Sequence, residues 1–189
     1  MATALEPRPR RFTVEEYLRM GESGILLPDE RVELIEGEII QMTPIGPPHS
    51  GTVIHLNALL VRGVGDRAMV SPQLPVRLGD LSMPQPDLAL LKARPNFYTD
   101  AHPREGDVLL LIEVADSSVR YDRRVKLPLY ARFGIPEYWI VNLPESCIEA
   151  YHTPDEEGYQ EFRRYVAADR ISPQALPDLV IEVGSLLGT

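Results

Sequence analysis

The sequence contains a single cysteine, Cys147, and no long uncharged segment that is free of proline. One cysteine cannot form a disulfide within the chain, and the N-terminal residues lack the apolar core of a secretory signal, so we expect a cytoplasmic location. A long uncharged segment, residues 41–61, carries three prolines, two histidines and an asparagine. This composition is unfavourable for a membrane span, and we expect no membrane association.

Basic residues are also scarce, since 19 Lys and Arg stand against 28 Asp and Glu and the net charge is −9. A strongly acidic protein is a poor nonspecific binder of nucleic acid. The charge is unevenly distributed, however, because residues 119–133 contain five basic residues and one acid, Asp122. This segment fits either an ordinary solvated helix surface or a face that contacts phosphate.

The length of 189 residues, with 44% hydrophobic and 25% charged residues, is typical of one globular domain. We expect a single domain over residues 1–189, with residues 1–10 flexible. Apolar periodicity and turn residues predict an α/β (α+β) fold, in which helices flank a mixed β-sheet and a β-hairpin is added on each side. The predicted elements are a helix at 13–21, a hairpin at 31–42, a helix at 49–64, strands at 70–78, 87–91 and 108–114, a helix at 118–133 that is kinked or restarted at Pro128, a strand at 137–141, a hairpin at 148–166 and a closing segment at 179–187.

Two carboxylates lie in predicted strands. Asp87 opens one strand, and Glu113 lies near the end of the next, whose aliphatic run predicts burial on both faces. A buried carboxylate is unfavourable unless a cation or several donors neutralise it, and hard divalent metals prefer oxygen ligands. The two acids therefore either hold a divalent ion or are structural, with Glu113 paired to an arginine such as Arg120 and Asp87 capping a turn.

Lys126 also has two interpretations. It is four residues after Asp122, so the two side chains can form an exposed ion pair on one helix face, worth only a few tenths of a kcal/mol. Alternatively, its ammonium lies beside the two strand carboxylates, where it would orient a water or stabilise charge on a phosphate oxygen. The periodicity does not separate the two.

Several segments together resemble a known family: RFTVEEYLRM, RVELIEGEIIQMTPIGPPHS, QPDLALL, LLIEVADSS, YDRRVKLPLYARFGIPEYWIVN and IEAY. Over residues 11–151 the chain is similar to the Uma-two (Uma2) family of putative restriction endonucleases, which the resemblance places in the PD-(D/E)XK nuclease superfamily. The resemblance implies a restriction-endonuclease-like fold. It makes Asp87 and Glu113 metal ligands for Mg²⁺ or Mn²⁺, with the main-chain carbonyl of Val114 as a third ligand.

The sequence departs from the general superfamily motif at one position. The lysine expected two residues after the second acid is Ala115 here, and the resemblance assigns its role to Lys126. Glu33 and His49 match family positions and are either supporting residues of the site or structural ones.

From this resemblance we expect a Mg²⁺-dependent endonuclease that hydrolyses DNA, with Asp87, Glu113 and Lys126 as catalytic residues. Two alternatives stay open: a catalytically inactive nuclease-like fold that serves as a nucleic-acid or protein interaction module, and a hydrolase of smaller phosphodiesters, which the acidic charge suits.

Cleavage of a duplex needs one active site per strand, so we also expect a homodimer. The aromatic residues of the last hairpin either form its interface or cover the protein's own sheet. These residues are Tyr159, Phe162 and Tyr165.

Overall fold

Regular structure begins at helix α1 (Val14–Glu22) in this computed structural model, which describes residues 8–187. Thr13 caps the helix, since its side chain accepts a hydrogen bond from the Glu16 N–H while the Glu16 carboxylate accepts one from the Thr13 N–H. The capping box that the sequence predicts is present. Most of the segment predicted to be flexible, residues 1–10, lies outside the described residues.

A β-hairpin follows α1, as predicted, with β1 (Val32–Ile35) antiparallel to β2 (Glu38–Gln41). Its turn residues Glu36 and Gly37 have φ of 49° and 82°, the left-handed conformation that a two-residue hairpin turn requires. Helix α2 (Pro47–Val64) then begins with two prolines. N–H groups in the first turn of a helix have no acceptor within the helix, so proline, which lacks an N–H, costs no hydrogen bond there.

Six strands form the central sheet, which is mixed as the element order predicts. Its strands are β3 (Ala68–Pro72), β4 (Leu88–Lys92), β5 (Val108–Ala115), β6 (Glu137–Asn142), β7 (Cys147–Asp155) and β8 (Gly158–Val166). They lie in the order β3-β4-β5-β6-β7-β8, and only β5 and β6 pair in parallel within this sheet. The late hairpin, β7 and β8, therefore extends the main sheet rather than standing beside it.

The crossover between β5 and β6 is a helix in three parts. It consists of α3 (Val119–Tyr121), a π-helical turn (Asp122–Lys126) and α4 (Leu127–Arg132). Pro128 has no N–H to donate to the preceding turn, so regular α-helical bonding cannot run through this point. The helix passes through a wide π turn before Pro128, and regular α-helix resumes at Leu127. The predicted interruption near Pro128 is therefore observed as a π turn followed by α4.

One strand boundary was wrong. The strand predicted at 70–78 is β3 and ends at Pro72, because Pro72 has no N–H for the ladder and Gln73 adopts a φ of 50°. The chain closes with β9 (Arg170–Ile171), β10 (Ile181–Glu182) and α5 (Val183–Leu187). β9 and β10 pair in a small sheet of their own.

Apolar layers cover both faces of the central sheet. Helix α2 and α5 pack on one face, against alternate residues of β4 and β5 such as Leu88, Leu110 and Ile112. Helix α4 packs on the other face, against the intervening residues such as Ala89 and Leu111. Because side chains alternate along a strand, Asp87 and Glu113 belong to the face that α4 covers.

Within residues 8–187, no helix has both the length and the apolar character that a membrane crossing requires. The expectation of one domain over residues 1–189 stays a prediction.

Candidate active site

A cleft of about 310 Å³ opens at the end of the central sheet. Leu88, the first residue of β4, pairs with Ile112 of the antiparallel strand β5. Asp87 directly precedes Leu88 and Glu113 directly follows Ile112, so the two acids are neighbours at the same end of the sheet. The cleft is also bordered by the β1–β2 hairpin, the loop that follows it and the crossover helix. All five residues that the sequence analysis singled out line it: Glu33, His49, Asp87, Glu113 and Lys126.

The Asp87 carboxylate is held firmly through one of its oxygens. Oδ2 accepts a hydrogen bond of 2.9 Å from the Val114 N–H and lies 3.0 Å from His49 Nε2. The other oxygen, Oδ1, has only a long contact of 3.4 Å with Gln73 Nε2. Asp87 does not cap a turn, and its Oδ1 keeps most of its capacity to bind a further group.

Glu113 is buried and also uses one oxygen. Oε1 accepts from Lys126 Nζ at 2.9 Å and from the Tyr130 hydroxyl at 2.9 Å, whereas Oε2 has no donor among residues 8–187. The predicted alternative partner, Arg120, is not the one observed. Burial raises the pKa of Glu113 well above its usual value, and nearby carboxylates add to this, while the Lys126 ammonium opposes it.

Lys126 is buried between two carboxylates, 2.9 Å from Glu113 Oε1 and 3.3 Å from Glu33 Oε2. Burial alone would lower its pKa, but the attraction of Glu113, Glu33 and Asp122 outweighs burial and raises the pKa above its usual value. Lys126 is therefore a fixed cation. The exposed pair with Asp122 is not observed, since both residues are buried and Asp122 accepts instead from the Ser118 hydroxyl at 2.7 Å.

The two supporting candidates contact the central three residues. Glu33 Oε2 accepts from the Gln85 N–H at 3.1 Å besides contacting Lys126, and this fixes the hairpin against the strand ends. His49 reaches Asp87 from the first turns of α2, and its Nδ1 is buried without a hydrogen-bond partner among the described residues.

Two tyrosines and a glutamine also belong to the site and were not predicted from the sequence. Tyr130 donates to Glu113, Tyr121 lies with its hydroxyl 3.5 Å from Glu33 Oε1, and Gln73 faces Asp87. Tyr130 follows Lys126 by four residues, the spacing of one helix face, which was a usable signal. Tyr121 and Gln73 have no such signal, because their positions depend on a π turn and on the early end of β3.

The donor set of the cleft suits a hard divalent cation. Carboxylates outnumber cations there, and within residues 8–187 Asp87 Oδ1 accepts only one long hydrogen bond and Glu113 Oε2 accepts none. The lining acids are Glu33, Asp87, Glu113, Asp116 and Asp122, and the lining cations are Arg31 and Lys126. Burial and, secondarily, nearby carboxylates raise the pKa of Glu113, and an additional cation in the cleft would oppose both effects.

A second group of ligand-type atoms lies elsewhere, on and beside β7. Glu145, Cys147 and Glu149 bring one such atom each within 4.8 Å of one another. The negative charge of the Glu149 carboxylate is already balanced by donors within the chain. Hydrogen bonds from these donors outweigh the effect of burial and lower the pKa of Glu149. These donors are Arg123, Asn142 and Tyr151. This group is therefore a structural ion-pair cluster.

Comparison with known proteins agrees with the motifs. The fold is similar to that of a putative nuclease belonging to DUF820 from Anabaena variabilis ATCC 29413, whose crystal structure at 1.96 Å gives a TM-score of 0.73 and 17% identity, over 94% of this chain and 98% of that chain. This likeness shows a shared fold. No curated protein matches the sequence. The Uma2 family model, described as a putative restriction endonuclease, matches residues 14–185, and the chain therefore belongs to that family.

Proposed function

We propose that the protein is a metal-dependent endonuclease that uses Mg²⁺ or Mn²⁺ to hydrolyse phosphodiester bonds of DNA. Membership of a family of putative restriction endonucleases supports a nuclease-like function. The observation that carries the proposal is the meeting of Asp87, Glu113 and Lys126 in one cleft, from two strands and the crossover helix.

Asp87 Oδ1 and Glu113 Oε2 would hold the metal ion, together with the main-chain carbonyl of Val114. A bound divalent cation supplies Lewis-acid stabilisation of charge on the phosphate oxygens and makes water more acidic. The second oxygen of each carboxylate is held by the protein itself. Asp87 Oδ2 is bonded to the Val114 N–H and to His49, and Glu113 Oε1 is bonded to Lys126 and Tyr130, so both carboxylates are fixed before a ligand binds. Such prior ordering reduces the entropy lost on binding.

Lys126 contributes a permanent positive charge next to the place where the scissile phosphate would lie. Its raised pKa makes it unsuitable as a general base, so its contribution is electrostatic. Glu33 provides a second carboxylate contact to the ammonium, and His49 holds Asp87 Oδ2, so both act as positioning residues.

The homodimer and the cytoplasmic location are proposals as well. Of the three aromatic residues offered for an interface, Tyr159 and Tyr165 pack against the protein's own apolar layers, and Phe162 is 58% exposed. A dimer interface on this hairpin would therefore centre on Phe162.

The test is incubation of the purified protein with supercoiled plasmid, with Mg²⁺, Mn²⁺ or EDTA. We expect metal-dependent cleavage by the wild type and by Asp178→Asn, an exposed aspartate paired with Arg67 away from the cleft, and none by Asp87→Asn. Bis(p-nitrophenyl) phosphate serves as a small substrate in parallel. Hydrolysis of that ester alone would favour the small-phosphodiester alternative. Inertness of folded, metal-loaded protein towards both substrates would favour the interaction module.

A further inference from the structure

Arg31 is a cation of the cleft that the proposed chemistry does not use. It directly precedes β1, and because side chains alternate along an extended chain it points to the same side as Glu33. Both residues line the cleft. Arg31 Nη1 donates to the Thr43 carbonyl at 3.3 Å, and the Arg31 carbonyl accepts from the Met42 N–H at 2.8 Å. The guanidinium is thereby held at the edge of the cleft, beside the loop that follows the hairpin.

Arg31 has no carboxylate partner within the described part of the chain, although it lies in a cleft lined by several acids. Arg77 offers a contrast, since its side chain is 18% exposed and pairs with both Glu15 and Asp80. Arg31 is half-buried, yet its one described hydrogen bond is the long one to Thr43. Most of its N–H groups therefore remain available to a ligand.

The ligand that fits this arrangement is a phosphate group. A guanidinium presents a planar fork of N–H donors that matches two oxygens of a phosphate, and it cannot lose its charge near neutral pH. The rest of the cleft edge offers little to attract a polyanion, because acids outnumber bases among the lining residues. We propose that Arg31 forms a phosphate-binding subsite that holds a DNA backbone phosphate adjacent to the scissile one.

This subsite rests on the proposed function, because it supplies the substrate contact that the acidic cleft otherwise lacks. Asp87 and Glu113 account for a metal ion and Lys126 for charge at the scissile phosphate, which leaves Arg31 as the other basic side chain among the described lining residues. Arg31 is thus a substrate-binding residue, and its loss should weaken DNA binding without removing the machinery of cleavage.

The test measures DNA binding apart from cleavage. Fluorescence anisotropy with a labelled duplex is recorded in Ca²⁺ at several salt concentrations, for wild type, Arg31→Ala, Arg31→Lys and Arg62→Ala. Arg62 is the matched control, since it is exposed on α2, lies outside the cleft lining and has no carboxylate partner among residues 8–187. We expect Arg31→Ala to bind about tenfold to a hundredfold more weakly, Arg31→Lys to be intermediate, and Arg62→Ala to match wild type.

Two further readouts separate a phosphate contact from a structural effect. Loss of one contact to a duplex phosphate should reduce the slope of log K against log salt by about 0.9. In plasmid cleavage, Arg31→Ala should raise KM and leave kcat unchanged, and its Mn²⁺ affinity and unfolding midpoint should match wild type. Arg31→Gln, which keeps more of the side-chain volume, takes its place should the alanine variant unfold.

The outcomes distinguish this subsite from the catalytic proposal. If Arg31→Ala binds DNA with wild-type affinity and salt slope, the subsite is wrong, whereas metal-dependent cleavage would still support the endonuclease. If wild type binds DNA but never cleaves it, a weakened Arg31→Ala supports the subsite while the endonuclease fails. Absence of DNA binding by wild type would overturn both.

Discussion

The Lys126 ammonium lies 2.9 Å from Glu113 Oε1 and joins the π-helical turn of the crossover to the C-terminal part of strand β5. Both side chains are almost fully buried, with 4% and 6% exposed. Removing one member of a buried ion pair leaves an uncompensated charge, so each residue depends on the other for its protonation state. The pair fixes the position of Glu113, which lines the cleft, and leaves its second oxygen without a donor among residues 8–187.

Divalent metal binding should depend on that second oxygen. In calorimetric titration with Mn²⁺, we expect the wild type to bind and Glu113→Gln to bind at least about tenfold more weakly, because an amide is a poorer ligand than a carboxylate. Glu113→Ala should not bind. Glu145→Gln, an exposed member of the cluster beside β7, is the control and should bind normally. Equal affinity of wild type and Glu113→Ala would remove the site as described.

The order of elements was predictable because the signals are local. A two-residue turn at Glu36-Gly37, a capping box at Thr13 and aliphatic strands are all set by neighbouring residues. The end of β3 was not predictable in this way. Met69 and Val70 continue into Val76 and Leu78 with good strand periodicity, but Pro72 and Pro75 interrupt the ladder, and an isolated contact further on holds Leu78 opposite Ser82.

The site was predictable as a set of residues but not as a set of contacts. Asp87 and Glu113 stood out as carboxylates in aliphatic strands, and the family resemblance added Lys126. Spacing alone favoured Asp122 as the lysine's partner equally well, because an i, i+4 pair needs a regular α-helix. The π turn at Asp122–Lys126 shifts that geometry, so Lys126 turns inward to Glu113 while Asp122 bonds to Ser118.

Glu137 should make the stability of the protein depend on pH. The residue is fully buried at the start of β6, with its oxygens accepting 2.7 Å bonds from Trp139 Nε1 and the Gln174 N–H. Burial raises its pKa to about 7, against 4.5 ordinarily, while the two hydrogen bonds oppose the shift. The folded state then binds more protons than the unfolded state between these values. The free energy of unfolding therefore falls as pH rises from about 4.5 through 7, by up to about 3 kcal/mol from this group.

Urea unfolding of wild type and Glu137→Gln from pH 4.5 to 8 is the measurement. Glu113 and Asp122 have raised pKa values as well, so the diagnostic quantity is the difference between the two proteins at each pH. His152 acts in the opposite direction, because burial lowers its pKa and favours the neutral folded form. At pH 4.5 we expect Glu137→Gln to have a lower free energy of unfolding than wild type. Between pH 4.5 and 8 its free energy of unfolding should change less than that of wild type. Parallel curves would show that Glu137 titrates normally.

Assembly should depend on Phe162. Its ring lies 5.0 Å from the ring of Tyr151 and is largely exposed, whereas Tyr159 donates its hydroxyl to the Ile135 carbonyl and is part of the protein's own core. Light scattering of the wild type should give twice the chain mass of 21.2 kDa. Phe162→Glu should give the single-chain mass, because a charge at an apolar interface is unfavourable. Phe97→Glu, at another exposed phenylalanine, is the control, and a wild-type mass of one chain would contradict the dimer.

Lys126 should be required for both stability and cleavage, and two sets of variants separate these effects. Lys126→Ala leaves Glu113 and Glu33 buried without their cation, so urea unfolding should show a loss of about 3–5 kcal/mol. An exposed pair with Asp122 would have contributed only a few tenths. The double variant Lys126→Met with Glu113→Gln removes both charges and should recover part of the stability. Lys92→Ala, at the exposed lysine that ends β4, is the control.

Single-turnover cleavage of plasmid then tests the chemistry in variants that remain folded. Lys126→Arg keeps a positive charge but places a planar, wider group in a buried space made for an ammonium, so we expect it to fold and to cleave more slowly than wild type. The stabilised double variant should be folded and inactive, since it lacks both the cation and a metal ligand. Lys92→Ala should cleave normally. If a folded Lys126→Ala cleaves at the wild-type rate, the ammonium serves only to neutralise Glu113 and Glu33, and its role at the phosphate is wrong.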